Sequence, residues 1–158
     1  MTAEPDPEPQ PPPTRGPRTV RSNRVRDGRS TRRGLVYGPG ALLAAARDDR
    51  LMWALHRAAL VRGLVPVVPA PAVAEAVRAA GSRDALAGVL DGIEIEEVGG
   101  EAAVRLGELS ARAGADNLVT VATVETAARR NLAAVAERSP RMAEIAASLD
   151  HDLVLHAP

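Results

Sequence analysis

The stretch GLVYGPGALLAAAR, residues 34–47, has the pattern of a strand that turns directly into a helix. The apolar run at 35–37 predicts a buried strand, which ends at Gly38-Pro39-Gly40, and an alanine-rich helical pattern follows. In α/β folds such a turn lies at the carboxyl end of a strand, where ligands collect. The two glycines and the proline therefore either cradle a phosphate or mark a position from which a reactive side chain is missing.

Strands and helices alternate along the chain after this turn. The spacing of apolar residues, together with the turn residues that bound each run, predicts further strands at 64–68, 93–98, 131–136 and 152–158. Predicted helices cover 50–63, 71–81, 82–92, 101–113, 116–130 and a segment that starts at Pro140 after a Ser139 cap. In the first of these, Leu51, Leu55 and Ala58–Ala59 form one apolar stripe. The order βαβααβααβαβ predicts an α/β fold with a mostly parallel sheet covered on both faces.

Length and composition predict one folded domain with a tail. The chain has 158 residues, of which 46% are hydrophobic, which suits a single domain of ordinary size. We place the domain boundary near Gly34, with a tail at 1–33 and a domain at 34–158. No apolar run approaches the roughly 20 residues of a membrane span, and no apolar signal core opens the chain. These features predict a cytoplasmic protein without a membrane partner.

The tail is rich in proline and arginine, and its expected state is disordered. Seven of the thirteen prolines lie in the first 17 residues, which offer almost nothing apolar to bury. Residues 1–33 also hold eight arginines against four carboxylates, whereas the remaining residues are acidic overall. A basic arm of this kind either binds RNA or an acidic partner by charge, or is a solvated tail. Its candidate RNA-binding residues are Arg15, Arg18, Arg21, Arg24 and Arg26.

Several common site chemistries are excluded by the residues themselves. The chain has no cysteine, so it has neither a thiolate metal site nor a cysteine nucleophile. The turn at 38–40 lacks the spacing and the lysine of a phosphate loop, and Pro39 removes a backbone donor. No GxSxG elbow occurs. The three histidines have no partner at metal-ligand spacing and are interpreted as structural.

The region 35–157 resembles a PIN-like domain, of the kind found in VapC-type toxin ribonucleases. The resemblance rests on the element order, on "GAL" after the first strand, on "VPAPAVAEAVR" at 68–78 and on "AGADNLVTVATV" at 113–124. It implies a three-layer α/β/α sandwich with a central, mostly parallel sheet. It also implies a site in which three or four carboxylates hold one or two Mg²⁺ or Mn²⁺ ions, which activate water to cleave RNA. By analogy with such proteins, an antitoxin-like partner and a homodimer are expected.

Most of the acidic positions that the resemblance implies are occupied by other residues here. The first family Asp falls on Gly38, and the Glu in the helix after the second strand is retained as Glu75. Two further Asp positions fall on Asn117 and Thr120, and the last falls on Ser139. Neutral oxygens do not balance the charge of a divalent ion, so no cofactor is expected, and Mg²⁺ or Mn²⁺ only if a residual site exists.

Asp116 is the residue that could compensate for these losses. It lies beside Asn117, so Glu75 and Asp116 are the candidate metal ligands of a weak ribonuclease. The favoured alternative for Asp116 is that it caps the helix that follows it. Glu75 is equally well interpreted as a surface residue or as a partner of Arg78. The resemblance therefore favours a catalytically degenerate PIN-like protein that binds or regulates. A weak metal-dependent ribonuclease, or RNA binding by the arginine arm, are the alternatives.

Overall fold

The computed structural model describes residues 26–27, 34–137 and 139–157, and the sequence patterns account for most of their secondary structure. The strands are β1 (Arg26–Asp27), β2 (Leu35–Tyr37), β3 (Val67–Pro69), β4 (Glu94–Glu96), β5 (Ala133–Val135) and β6 (Val154–His156). The helices are α1 (Pro39–Ala46), α2 (Arg50–Val61), α3 (Ala70–Ala80), α4 (Ala87–Leu90), α5 (Gly100–Ala113), α6 (Leu118–Arg129) and α7 (Pro140–Ser148).

The strands form one sheet in the order β1-β6-β5-β2-β3-β4, and every described pairing is parallel. The prediction of an α/β fold with a mostly parallel sheet is thus confirmed. In the middle of the sheet, Val36 of β2 lies beside Val67 of β3 on one side and Ala134 of β5 on the other. After β2, the chain places β3 and β4 on one side of it and then β5 and β6 on the other side. The edge above β2 is therefore the place where an α/β sheet opens a crevice for a ligand.

Helices cover both faces of the sheet, which gives the three layers of an α/β/α sandwich. Neighbouring residues of a strand point to opposite faces, so Val36 packs with α5, α6 and α7, while Tyr37 packs with α1, α2 and α3. The same division separates Ala134 from Val135 on β5. Both faces of these strands are buried, which explains why their sequences are continuous apolar runs and do not alternate.

The segment between β2 and β3 forms two helices, which match the helical patterns after Gly40 and at 50–63, although the predicted element order counted a single helix there. Asp48 has a φ of 57°, a left-handed conformation that ends α1. The Asp49 side chain then accepts a hydrogen bond of 2.8 Å from the Met52 amide and caps α2. Asp48 therefore ends one helix and Asp49 begins the next. The spacing of apolar residues alone does not indicate such a boundary.

The apolar stripe predicted on α2 faces the core only in part: Ala59 is buried and Leu55 packs against the core, whereas Leu51 and Ala58 are exposed. The buried residues of this helix are Met52, His56 and Ala59, and the first and last apolar positions, Leu51 and Val61, are 63% and 89% exposed. The helix lies at the periphery of the layer formed by α1 and α3. Because α2 is apolar on two faces, the sequence alone does not determine which of them is buried.

The region predicted as one helix at 82–92 is broken. Gly81, at a φ of 75°, ends α3, and a 3-10 turn at Asp84–Leu86 leads into the four-residue helix α4. The Ser82 hydroxyl accepts a hydrogen bond of 3.0 Å from the Asp84 amide at the start of this turn. The turn and α4 bury Leu86 and Val89 against α1 and α3, so a short segment suffices to close the layer.

Of the tail, the structure describes only Arg26–Asp27, which pair as β1 with the final strand β6. In this pairing Arg26 lies beside Val154 and Asp27 beside Leu155, at an edge of the sheet. Arg15, Arg18, Arg21 and Arg24 lie outside the described residues, and their RNA-binding role stays a prediction. Within the described ranges, no helix has the length and apolar content needed to cross a membrane.

An ionic network fastens the edge strand β4 to the end of α6. Arg129 donates to Glu96 at 2.7 Å and to Glu125 at 3.0 Å, and Arg130 donates to Glu94 at 2.7 Å. The hydroxyl of Thr126 donates to the same Glu96 carboxylate at 2.9 Å. Exposed ion pairs contribute little singly, but here several share their partners, and the two arginines lie at the carboxyl end of a helix, where positive charge is favoured.

A buried polar pair lies beneath the carboxyl end of β2. The Tyr37 hydroxyl is 3.2 Å from Nδ1 of His56, and the two residues are 0% and 3% exposed. Trp53 contacts the imidazole edge-on and donates from its indole nitrogen to the Ala45 carbonyl oxygen at 3.0 Å. Burial raises the pKa of Tyr37 far above its ordinary value, and burial, followed by the charge of Arg57, lowers the pKa of His56. His56 is thus a structural histidine held neutral.

This neutral histidine predicts a loss of stability in acid. Below pH 6.5, the ordinary pKa of histidine, His56 binds a proton in the unfolded chain but stays neutral in the folded chain. The free energy of unfolding should therefore decrease as the pH falls from 7.5 to 5.5. Each unit by which folding lowers the pKa contributes at most about 1.4 kcal/mol. Urea unfolding at several pH values measures this dependence.

The control for this prediction is His56→Gln, which keeps an acceptor for Tyr37 but cannot titrate. Its decrease in stability over the same pH range should be smaller than that of the natural protein. Some decrease remains, because burial lowers the pKa of His156 as well. Equal pH dependence in the two proteins would contradict the assignment to His56.

Candidate functional site

A cavity of about 260 Å³ lies at the carboxyl edge of the sheet, above β2 and β5. We call it the switch-point pocket. It is lined by Gly38, Pro39, Gly40, Leu43, Glu75, Asn117, Thr120, Thr123, Ala136, Glu137, Ser139 and Met142. Its walls come from the start of α1, the middle of α3, the first turns of α6 and the segment from β5 into α7. The pocket thus occupies the crevice that the sheet topology creates.

The pocket brings together all five positions at which the resemblance expects a carboxylate. Gly38, Glu75, Asn117, Thr120 and Ser139 all line it, although they are spread over a hundred residues of sequence. Only Glu75 among the five has a negatively charged side chain. The other four contribute a backbone turn, an amide and two hydroxyls.

Three of these positions are helix caps, which explains their residue types locally. Asn117 precedes α6, and its side-chain oxygen accepts hydrogen bonds from the amides of Val119 and Thr120 at 3.0 and 3.1 Å. Ser139 precedes α7, and its hydroxyl accepts from the Met142 amide at 3.3 Å. Gly38 precedes α1 and has no side chain to cap it. Three helices thus begin at this pocket, each from a residue whose position also suits aspartate.

Gly38 is closely surrounded. A Cβ atom at this position would lie 3.1 Å from the Cβ of Ala136 and 3.6 Å from Cγ2 of Thr123. The backbone of Gly38 is extended, with a φ of −84° and a ψ of 175°, which any residue adopts. A larger side chain is therefore sterically possible here if Ala136 yields by a few tenths of an ångström.

Glu137 is a pocket residue that no sequence motif indicated. It follows β5 by two residues, and its side chain lies over Gly40, whose added Cβ would be 3.1 Å from the Glu137 Cγ. The position at the carboxyl end of a central strand was the available signal, because sites of α/β folds collect there. Among the described residues, Glu137 has no hydrogen-bonding or ionic partner.

Glu75, the retained carboxylate, is already paired. Both of its oxygens accept from Arg78 one turn later on α3, at 2.5 and 2.9 Å. These hydrogen bonds, and then the positive charge of Arg78, lower the pKa of Glu75, which is ionised at neutral pH. The prediction that Glu75 pairs with Arg78 is confirmed. Its charge is therefore largely compensated before any cation reaches the pocket.

Asp116 is exposed and is not among the residues that line the pocket. Its predicted role as the cap of the following helix is wrong, since the cap is Asn117, one residue later. The sequence supports either residue as a cap, and the start of the helix at Leu118 decides between them. Asp116 therefore has neither of its two predicted functions.

The side chains of the pocket do not suit a divalent metal ion. Mg²⁺ and Mn²⁺ are held by oxygen ligands that include several carboxylates, which balance the charge of the ion. The pocket offers Glu75, paired with Arg78, and the separate Glu137. In the described part of the chain, no three acidic or histidine side chains converge in a way that could hold a metal.

The fold itself has a counterpart among solved structures. The crystal structure of PAE2754 from Pyrobaculum aerophilum superimposes on this chain with a TM-score of 0.54. The match covers 77% of this chain and 82% of that protein, at 14% sequence identity. A likeness at this identity establishes a shared fold and leaves function open. No family model matches the chain, and a search of curated proteins found no match.

Proposed function

We propose that this protein is a PIN-like domain that has lost metal-dependent ribonuclease activity and acts as a binding or regulatory module. One observation carries the proposal. The five positions at which the resemblance expects acidic ligands line a single pocket, and four of them are occupied by Gly38, Asn117, Thr120 and Ser139. A coherent pocket with a depleted charge is what the loss of a metal site from an intact fold would leave.

The chemistry of the remaining side chains supports a binding role over a catalytic one. Activation of water at neutral pH requires a metal or a general base with a suitable pKa. Glu75 is held ionised by Arg78, and the hydroxyl of Thr123 donates to the Val119 carbonyl oxygen at 2.9 Å. Asn117 and Ser139 use their side-chain oxygens to cap helices. The partners consistent with this proposal are RNA or an antitoxin-like protein, in the cytoplasm.

Titration of Mn²⁺ into the full chain by calorimetry tests the proposal. We expect no saturable heat in the natural protein and the same result in Glu75→Ala, because Glu75, already paired with Arg78, and the separate Glu137 bind a dication too weakly. Thermal unfolding of both proteins serves as the control for folding. Saturable binding that Glu75→Ala abolishes, or Mg²⁺-dependent RNA cleavage lost in the same variant, would refute the proposal and favour the weak ribonuclease.

RNA binding through the arginine arm remains a separate hypothesis. It predicts that binding depends on residues 1–33 and weakens steeply with salt, because contacts to phosphates release counterions. The described residues do not favour it over the pocket, since the arginines concerned lie outside them except for Arg26.

A further inference from the structure

One part of the switch-point pocket is negatively charged. Its two charged lining residues are Glu75 and Glu137. Glu75 is paired with Arg78, whereas Glu137 has no hydrogen-bonding or ionic partner within the described ranges. The Oε1 atom of Glu137 lies 3.5 Å from the position of a Cβ built on Gly40, so the carboxylate stands at the start of α1. Glu137 is therefore the carboxylate that is available to a cationic group of a ligand.

Another part of the pocket, at the starts of α6 and α7, is positive and offers hydrogen-bond donors. The beginning of a helix carries roughly half an elementary positive charge. The Asn117 side-chain oxygen is used by the amides of α6, which leaves its NH₂ group as the donor for a ligand. The Ser139 hydroxyl accepts from the Met142 amide and keeps its proton to donate. Two helix starts with two such donors suit a carboxylate.

These two parts line one cavity, so a ligand inside it meets both. A simple anion would be repelled by Glu75 and Glu137, and a simple cation would meet the positive ends of two helices. A small molecule with an ammonium group at one side and a carboxylate at the other satisfies both parts. The charge pattern of the pocket therefore matches a zwitterion.

The size and the remaining lining of the pocket limit the ligand further. At about 260 Å³, the cavity is smaller than the roughly 300–1,000 Å³ of pockets that hold drug-sized molecules. Its apolar lining consists of Pro39, Leu43, Ala136 and Met142. A ligand of this size that also carries a short apolar group would fill the space beside the polar side chains.

From this charge pattern and size we infer that the switch-point pocket binds a free α-amino acid with an apolar side chain. Glu137 accepts hydrogen bonds from the ammonium group, and Asn117 and Ser139 donate to the carboxylate. The inference rests on the proposed function, because it gives a ligand to the same pocket in a protein that binds without a metal. The amino acid would be the small molecule to which a regulatory module responds.

Calorimetric titration of L-valine, L-leucine and L-methionine into the full chain, in buffer with EDTA, tests this inference. We expect saturable binding of at least one of them in the micromolar to millimolar range. The fragments of that amino acid should bind about tenfold or more weakly, because each lacks one charged group. For L-valine these fragments are isobutylamine, without the carboxylate, and isovalerate, without the ammonium group. Absence of binding by all three amino acids, or equal binding of a fragment, would overturn the inference.

Two substitutions of nearly unchanged shape test the assigned contacts. Glu137→Gln removes the charge that faces the ammonium group, and Asn117→Asp keeps the helix cap but replaces the donor by a carboxylate. Each should weaken binding of the amino acid about tenfold or more. The matched control is Glu108→Gln, the same change at an exposed position of α5 outside the pocket, which should have no effect. Binding that neither pocket substitution weakens would contradict the assignment.

Titration of the same protein with Mn²⁺, without EDTA, separates the failure of this inference from that of the proposed function. If neither the amino acids nor Mn²⁺ bind, the ligand inferred here is wrong and the proposed loss of the metal site stands. If Mn²⁺ binds and Glu75→Ala abolishes its binding, the proposed function is refuted, and the amino-acid ligand with it.

Discussion

Placing three carboxylates in the switch-point pocket should create a Mn²⁺ site. In Gly38→Asp/Asn117→Asp/Ser139→Asp, the new side chains join Glu75 and Glu137 around one cavity. We expect saturable Mn²⁺ binding in the micromolar to millimolar range and a thermal unfolding temperature that rises with Mn²⁺ concentration. The natural protein should show neither effect. The physical reason is that added negative charge compensates the ion, and its binding relieves repulsion among the carboxylates.

The three substitutions are compatible with the local structure. All three positions are helix caps, at which aspartate accepts hydrogen bonds from the first amides as well as asparagine or serine does. Negative charge at the start of a helix is also favoured by the helix dipole. The one steric cost is at Gly38, where the new Cβ presses on Ala136. We therefore expect the variant to fold without metal, with its stability reduced mainly by repulsion among the acids.

The control for this experiment is Gly38→Asn/Ser139→Asn, which together with the natural Asn117 gives three amides of nearly identical shape. It adds the same volume without the charge. If the amide variant gains as much Mn²⁺ affinity as the aspartate variant, or if neither gains any, the pocket is not a vacated metal site. The PIN-like assignment would then lose its main support.

Truncation of Leu42 should destabilise the fold far more than truncation of an exposed leucine. Leu42 lies on α1, is fully buried, and packs in the cluster of Tyr37 and Val135 beneath the pocket wall. Leu42→Ala should lower the free energy of unfolding by about 2–5 kcal/mol, because it removes buried methyl groups and leaves a cavity. Urea unfolding in dilute solution, followed by circular dichroism, measures the change.

Leu51→Ala is the matched control for Leu42→Ala, since it deletes the same atoms from a side chain that is 63% exposed. In dilute, monomeric protein, its effect should stay within about 0.5 kcal/mol. Similar losses in the two variants would mean that Leu51 is buried in the folded monomer. That result would mean that the predicted stripe faces the core at Leu51 as well.

The sequence predicted the central strands of this fold well because they are buried on both faces. The runs at 35–37 and 133–135 are apolar without interruption. The orientation of α2 could not be predicted in the same way. Leu51 and Met52 are both large and apolar, and only the packing of α1 and α3 determines that Met52 turns inward.

The sequence predicted part of the site. The resemblance gave five positions that now line one cavity, because each follows or faces the carboxyl end of a strand. Glu137 was missed because no motif contains it, and its place over Gly40 depends on the path of the chain from β5 into α7. The cap and metal-ligand roles predicted for Asp116 rested on its position beside Asn117, but neighbouring residues at the start of a helix point in different directions.

The ionic network on β4 has a consequence for how copies of this protein meet. A strand at the border of a sheet presents unpaired backbone groups on which another chain can build, and such borders are starting points for aggregation. Here the border strand has only three residues, and it carries Glu94 and Glu96 tied to Arg129 and Arg130. An approaching strand would have to displace or bury these charges. This border of the sheet is thereby protected from pairing with a strand of a neighbouring molecule.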